Sequence, residues 1–217
     1  MPNEWILAIE TSVTDATLAL SCDGHSQSLQ HFSSERSQEC DLFAPLQEIL
    51  THLPAGKKLT AIIAGTGPGS YNGARVGIAA AQALAQVHGC GVAGLCSFEG
   101  VAAIHGSESA WAVGDARRGS FFVMPLVNGR VTSAPELLGE ADFQTRLARC
   151  HGPKVTFESP GRLPSGSEII KATSTAEILI KSWLARTSEE QEALQNISAE
   201  AFYLRPPHIT KSKKKAL

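Results

Sequence analysis

Leu59-Thr-Ala-Ile-Ile-Ala-Gly-Thr-Gly-Pro-Gly-Ser-Tyr-Asn-Gly73 decides the fold class. Its first six residues form a short apolar run, read as a buried strand. Glycines at 65, 67, 69 and 73 follow, a helical pattern then runs to about His88, and Gly91-Val-Ala-Gly-Leu-Cys96 reads as the next strand. Strand, glycine-rich turn, helix and strand make an α/β unit. The loop admits two readings: backbone amides at a helix N-terminus that cradle an anion, or a sharp turn that needs glycine conformations. It is not a Walker A loop, because no Gly-Lys-Ser/Thr follows Gly67 and Gly69. It is not Gly-x-Gly-x-x-Gly, because position 70 is Ser, nor a nucleophile elbow, because Pro68 stands two residues before that Ser.

Upstream, Trp5–Glu10, Ala16–Cys22 and Ser26–Phe32 read as three antiparallel strands, with Asp23-Gly24 as a tight turn. Between them and the glycine loop, Leu42, Leu46, Ile49, Leu50 and Leu53 follow helical spacing, with Asp41 as a cap. A second mixed block begins near residue 100. It has strands at Trp111–Asp115 and Ser120–Val127, a hairpin signal at Asn128-Gly129, helices near 141–149 and 175–184, and a strand at Val155–Phe157.

With 217 residues, 43% hydrophobic and 18% charged, the chain has enough apolar side chain for one globular body or two small lobes. Disorder over most of it is excluded. No apolar run approaches the length of a membrane span, and Met1–Trp5 lacks a signal-peptide pattern, so no membrane or secreted form is expected. Five cysteines, an odd number without a Cys-x-x-Cys pair, fit a cytoplasmic location. The net charge of −2 comes from 19 basic and 21 acidic residues. Lys211, Lys213, Lys214 and Lys215 lie in the last seven residues; without them 15 cations face 21 acids, a body at −6 with a +4 tail.

Gly73, Gly77, Ala81 and Ala85 recur every four residues and draw a ridge of small side chains along the helix after the loop. Such a ridge packs either on the chain's own sheet or on a helix of another protein. Seven histidines form no His-x-x-x-His or His-Glu-x-x-His pair, so no protein metal site is expected. No Ser or Cys sits in a recognisable nucleophile motif with a His. Asp115-Ala-Arg-Arg-Gly119 is either an anion contact or a solvated turn.

Taken together, Ile6-Leu-Ala-Ile-Glu-Thr-Ser12, Gly67-Pro-Gly-Ser-Tyr-Asn-Gly-Ala-Arg-Val-Gly77, Asp115-Ala-Arg-Arg-Gly119 and Phe202-Tyr-Leu-Arg205 resemble the TsaB (YeaZ) family, in the family's order. The resemblance implies a two-lobed sugar kinase/Hsp70/actin-like (ribonuclease H-like) fold. Residues 1–98 would form an N-terminal lobe with the partner-binding helices, and 99–217 a smaller C-terminal lobe with a basic tail from about 208. It implies a non-catalytic scaffold that binds and stabilises the threonylcarbamoyltransferase TsaD in tRNA threonylcarbamoyladenosine synthesis. A TsaE-like ATPase and a TsaC-like enzyme would act in the same pathway, a homodimer is possible when the chain is alone, and tRNA would be met only indirectly.

Leu42, Leu46, Gly73, Gly77, Ala81 and Ala85 fall where the family places its partner interface. The positions of TsaD's two metal-binding histidines fall at Ser37 and Asp41, too few donors for a metal. The phosphate apparatus is degraded: Glu10, Thr11, Ser12 and Asp115 stand in it as weak nucleotide contacts, without the usual glycines, and no cofactor is expected. The enzyme alternative is a small ATPase or phosphotransferase using Glu10, Ser12 and Asp115. A third reading is a tRNA adaptor acting through Lys211 to Lys215.

Overall fold

The computed structural model describes residues 3–33, 42–164 and 168–205. The Asp41 cap, the Ser37 and Asp41 metal positions and the lysine tail lie outside them. Two sheets form the body. In the first, β1 (Trp5–Glu10), β2 (Asp15–Cys22), β3 (His25–Ser33), β4 (Ala61–Gly65) and β5 (Gly91–Leu95) lie in the order β3-β2-β1-β4-β5. β1, β2 and β3 are antiparallel; β1, β4 and β5 are parallel. The Asp23-Gly24 turn has φ of 51° and 77°, the left-handed pair that a two-residue hairpin requires.

β1 is buried along its whole length, which is why it reads as an unbroken apolar run. Trp5, Leu7 and Ile9 face α1 (Phe43–Leu50) and α2 (Tyr71–His88), while Ile6 and Ala8 face the opposite side. α2 starts at Ser70, whose side chain accepts the Gly73 N–H, and stops at Gly89, where φ is 70°. α1 ends at Leu50, short of the expected Leu53, because residues 51–53 close in tighter turns onto Glu48, Ile49 and Leu50 carbonyls.

The second sheet runs β11-β10-β6-β7-β8, built from β6 (Ser109–Asp115), β7 (Ser120–Val127), β8 (Arg130–Val131), β10 (Lys154–Thr156) and β11 (Ile170–Lys171); β9 (Glu136–Gly139) pairs with the other half of β7. Asn128-Gly129 makes the expected left-handed hairpin, φ 50° and 75°. α3 (Glu140–Ala148) covers one face through Phe143 and Leu147. Phe98 and Phe157 stack on the other, with centroids 4.0 Å apart.

After the second sheet the chain returns to the first. α4 (Ala176–Leu184) does not stay with the second sheet. Ala176, Leu179, Ile180 and Trp183 pack against Ile6, Ala8, Ala19 and Ile63 of the first. The physical reason is the apolar second face of β1 and β4, which, among the described residues, no helix before residue 98 covers. α5 (Ser188–Gln195), unforeseen because its Glu- and Gln-rich sequence has no apolar period, follows on a Thr187/Glu190 capping box and lies beside β5.

Candidate functional site

The turn at the end of β1 gathers Glu10, Thr11 and Ser12, all three fully buried. Glu10 Oε1 accepts the Ser12 backbone N–H at 2.8 Å, and its Oε2 accepts the Ser174 hydroxyl at 2.8 Å. The Thr11 hydroxyl donates to the Gly73 carbonyl at 2.7 Å. The Ser12 hydroxyl donates to Ser97 Oγ at 2.7 Å, and Ser97 Oγ also accepts the Gly67 N–H at 2.9 Å. The side chains of Glu10, Thr11 and Ser12 are thus each bonded to the chain itself.

The glycine-rich stretch wraps this turn. A Cβ on Gly65 would stand 2.3 Å from Glu10 Oε2, one on Gly69 2.3 Å from the Ser12 carbonyl, one on Gly73 2.0 Å from the Thr11 carbonyl, and one on Gly77 2.2 Å from Thr11 Oγ1. Close approach of helix and loop to the β1 turn is what the glycines permit. Ser70 N–H, at the head of α2, donates to the Ser12 carbonyl at 2.6 Å, so one amide of the presumed anion cradle is already taken.

Asp115 belongs to the other sheet and is not brought into this cluster. Its carboxylate accepts the Arg117 N–H at 2.6 Å and pairs with the Arg117 guanidinium at 3.2 Å, closing its own turn. Arg117, Arg118 and Gly119 all take left-handed φ (66°, 56° and 69°), so two arginines hold a conformation that costs a non-glycine residue about 1 kcal/mol or more. Burial, and then the charge of Asp115, push the nearby Glu158 carboxyl above its ordinary value.

The six residues expected at a partner interface face inward. Leu42 and Ala81 are fully buried, Leu46, Gly73, Gly77 and Ala85 nearly so, and Leu42, Leu46, Ala81 and Ala85 join the core beneath the first sheet. The small ridge lets α2 lie close on β1. The outward faces carry Phe43, 74% exposed, and Val87, 71% exposed, with Ala79 and Ala83 also exposed between the ends of α2.

Sequence reasoning missed Phe43 and Val87, since an exposed apolar residue in a helix looks like core until the helix is oriented. It also missed the buried pair Glu99–Arg186, at 2.6 Å with side chains 6% and 8% exposed, to which Ser182 adds a 2.8 Å hydrogen bond. Eighty-seven positions separate its partners.

Beside the glycine loop a groove of about 300 Å³ lies between Pro68, Tyr71 and Ala74 on one wall and Phe202 and Leu204 on the other. Tyr203 donates its hydroxyl to Tyr71, and that bond pushes the Tyr203 phenol above its ordinary value. The Arg75 guanidinium lies 5.2 Å from the Tyr71 ring centre. The hydroxyls of Ser12, Ser70, Ser97 and Ser174 meet one another, backbone or Glu10, and among the described residues none meets a histidine ring. Among the described residues no three His, Cys, Asp or Glu gather as for a metal, and no helix is long and apolar enough to cross a membrane.

The solved structures similar to this chain include an uncharacterized protein with similarity to peptidase YEAZ from Pseudomonas aeruginosa. It is 22% identical with a TM-score of 0.65, over 93% of this chain and 100% of that one. YeaZ from Pseudomonas aeruginosa is 21% identical with a TM-score of 0.60, over 82% of this chain and 89% of that one. The chain has the YeaZ fold. It is an α/β fold built on two sheets with helices packed against them. Residues 42–142 match the family model of TsaD, tRNA N6-adenosine threonylcarbamoyltransferase. That segment holds α1, α2 and the strands from β4 to β9, so the TsaB (YeaZ) resemblance read from four short motifs is joined by a tRNA-modification family match through the middle of the chain. No curated protein matches the chain.

Proposed function

We propose that the protein is a non-catalytic partner subunit in tRNA threonylcarbamoyladenosine synthesis, which docks on a TsaD-like threonylcarbamoyltransferase through the outward faces of α1 and α2. The observation that carries this reading is the contrast between two surfaces. Glu10, Thr11 and Ser12 are buried and bonded within the chain, whereas Phe43 and Val87 stand open on two helices that share the core cluster of the first sheet. A large exposed apolar side chain gains by burial against a partner, roughly 1.5–3 kcal/mol each when fully covered. The TsaE-like ATPase and TsaC-like enzyme belong to the same proposal as pathway partners, and tRNA contact is assigned to them and to TsaD.

Mixing the protein with the TsaD-like protein of the same organism and separating by size exclusion tests it. A heterodimer is expected, and Phe43→Asp with Val87→Asp should abolish it while leaving the circular dichroism spectrum unchanged. Two separate peaks for the unmodified proteins, or a complex that survives both substitutions, would refute the reading. Gly77 and Ala81 are unsuitable probes, because bulk there disrupts the fold itself.

A further inference from the structure

Two of the chain crossings between the sheets lie side by side. The first leaves β5 through residues 96–100, and the second returns through residues 172–175 into α4. They are tied to each other: Thr175 N–H donates to the Gly100 carbonyl at 2.9 Å, and a Cβ on Gly100 would stand 2.1 Å from Ser174 Oγ. Each crossing also sends one buried serine hydroxyl to the same turn, Ser97 to Ser12 and Ser174 to Glu10. On its other side that turn seats α2, through Ser70 N–H on the Ser12 carbonyl, Thr11 Oγ1 on the Gly73 carbonyl, and the missing side chains of Gly73 and Gly77.

We infer that residues 10–12 are a mechanical coupling: the position of one lobe against the other, read through Ser97 and Ser174, sets how α2 is seated and so how its outer face is presented. Three features support it. Glu10 has no ion-pair partner among the described residues, so its oxygens depend on the Ser12 N–H and the Ser174 hydroxyl. A buried carboxylate oxygen that loses such a donor is costly, and the turn shifts to recover one. A close-packed interface has no slack to absorb that shift, and Gly73 and Gly77 lie in direct contact with Thr11. The effect on α2 stands by itself; its consequence for a partner rests on the docking surface proposed above.

Hydrogen exchange of the full chain, followed by mass spectrometry, tests the coupling. Ser174→Ala and Ser97→Ala should each speed exchange of the α2 amides about tenfold while leaving β7 unchanged. Thr175→Ala removes the side chain that caps α4 but touches neither Glu10 nor Ser12, so α2 should exchange as in the unmodified protein. Unchanged α2 exchange in both serine variants, or equal acceleration in Thr175→Ala, would overturn the inference. Affinity for the TsaD-like partner should fall in the serine variants by a similar factor. If the unmodified protein binds no such partner while α2 responds as stated, the docking surface is refuted and the coupling stands.

Discussion

Gly77→Ala is the substitution on which helix propensity and tertiary packing disagree most. In an isolated helix the change is favourable by about 1 kcal/mol. Here the new methyl would lie 2.2 Å from Thr11 Oγ1 and 3.2 Å from Ile9 Cγ2. Thr11 cannot yield freely, because its hydroxyl is buried and bonded to the Gly73 carbonyl at 2.7 Å. Loss of that bond with both groups buried costs about 1–3 kcal/mol, and overpacking adds about 1–3 kcal/mol. The balance is a net destabilisation of about 1–5 kcal/mol. Urea unfolding followed by circular dichroism measures it, and the paired variant Thr11→Ala isolates the cause. In a double-mutant cycle Thr11→Ala should recover part of the Gly77→Ala loss, since the clashing oxygen is gone. A Gly77→Ala protein more stable than the unmodified one, or strict additivity with Thr11→Ala, would refute the packing explanation.

Other expectations follow from single contacts. Arg186→Ala strands the buried Glu99 carboxylate and should cost about 3–5 kcal/mol in urea unfolding; a loss below about 1 kcal/mol would mean that water reaches the pair. His88 Nδ1 accepts the Leu59 N–H at 3.2 Å, and burial, then Lys58, lower the imidazole below its ordinary 6.5. The unfolded chain therefore binds the proton more readily, so this contribution is fully present above pH 6.5 and is lost as pH falls through the folded value. His88→Gln should flatten the stability profile over that window, and an unchanged slope would assign it elsewhere. Titration with ATP and magnesium in a calorimeter should give no heat of binding, because Glu10, Thr11 and Ser12 are already bonded within the chain; micromolar affinity would restore the enzyme alternative.

Much of the fold was readable from local chemistry. The run Leu59–Ala64, the glycine turn and the helix to His88 appear as β4, loop and α2, and both Asp23-Gly24 and Asn128-Gly129 make the hairpins their residues require. The candidate site was readable only in part. The segment from residue 10 to 12 stands out in the sequence, but its environment comes from Ser97 and Ser174, which lie 85 and 164 positions away along the chain. No spacing rule reports such partners. Asp115 looked like a fourth member and instead closes its own turn on Arg117.

The small ridge on α2 marks the boundary between the two kinds of knowledge. A four-residue repeat of Gly and Ala establishes that something approaches the helix closely, because helical geometry puts those positions on one side and only small residues admit a near neighbour. Which neighbour is a tertiary matter: β1 and the turn at Thr11 fill that side, and the opposite side carries Ala83 and Val87 outward. In the same way the sequence alone sufficed for two α/β blocks, since periodicity is local. The return of α4 to the first sheet required the folded chain, because it is driven by an apolar face assembled from strands distant in sequence.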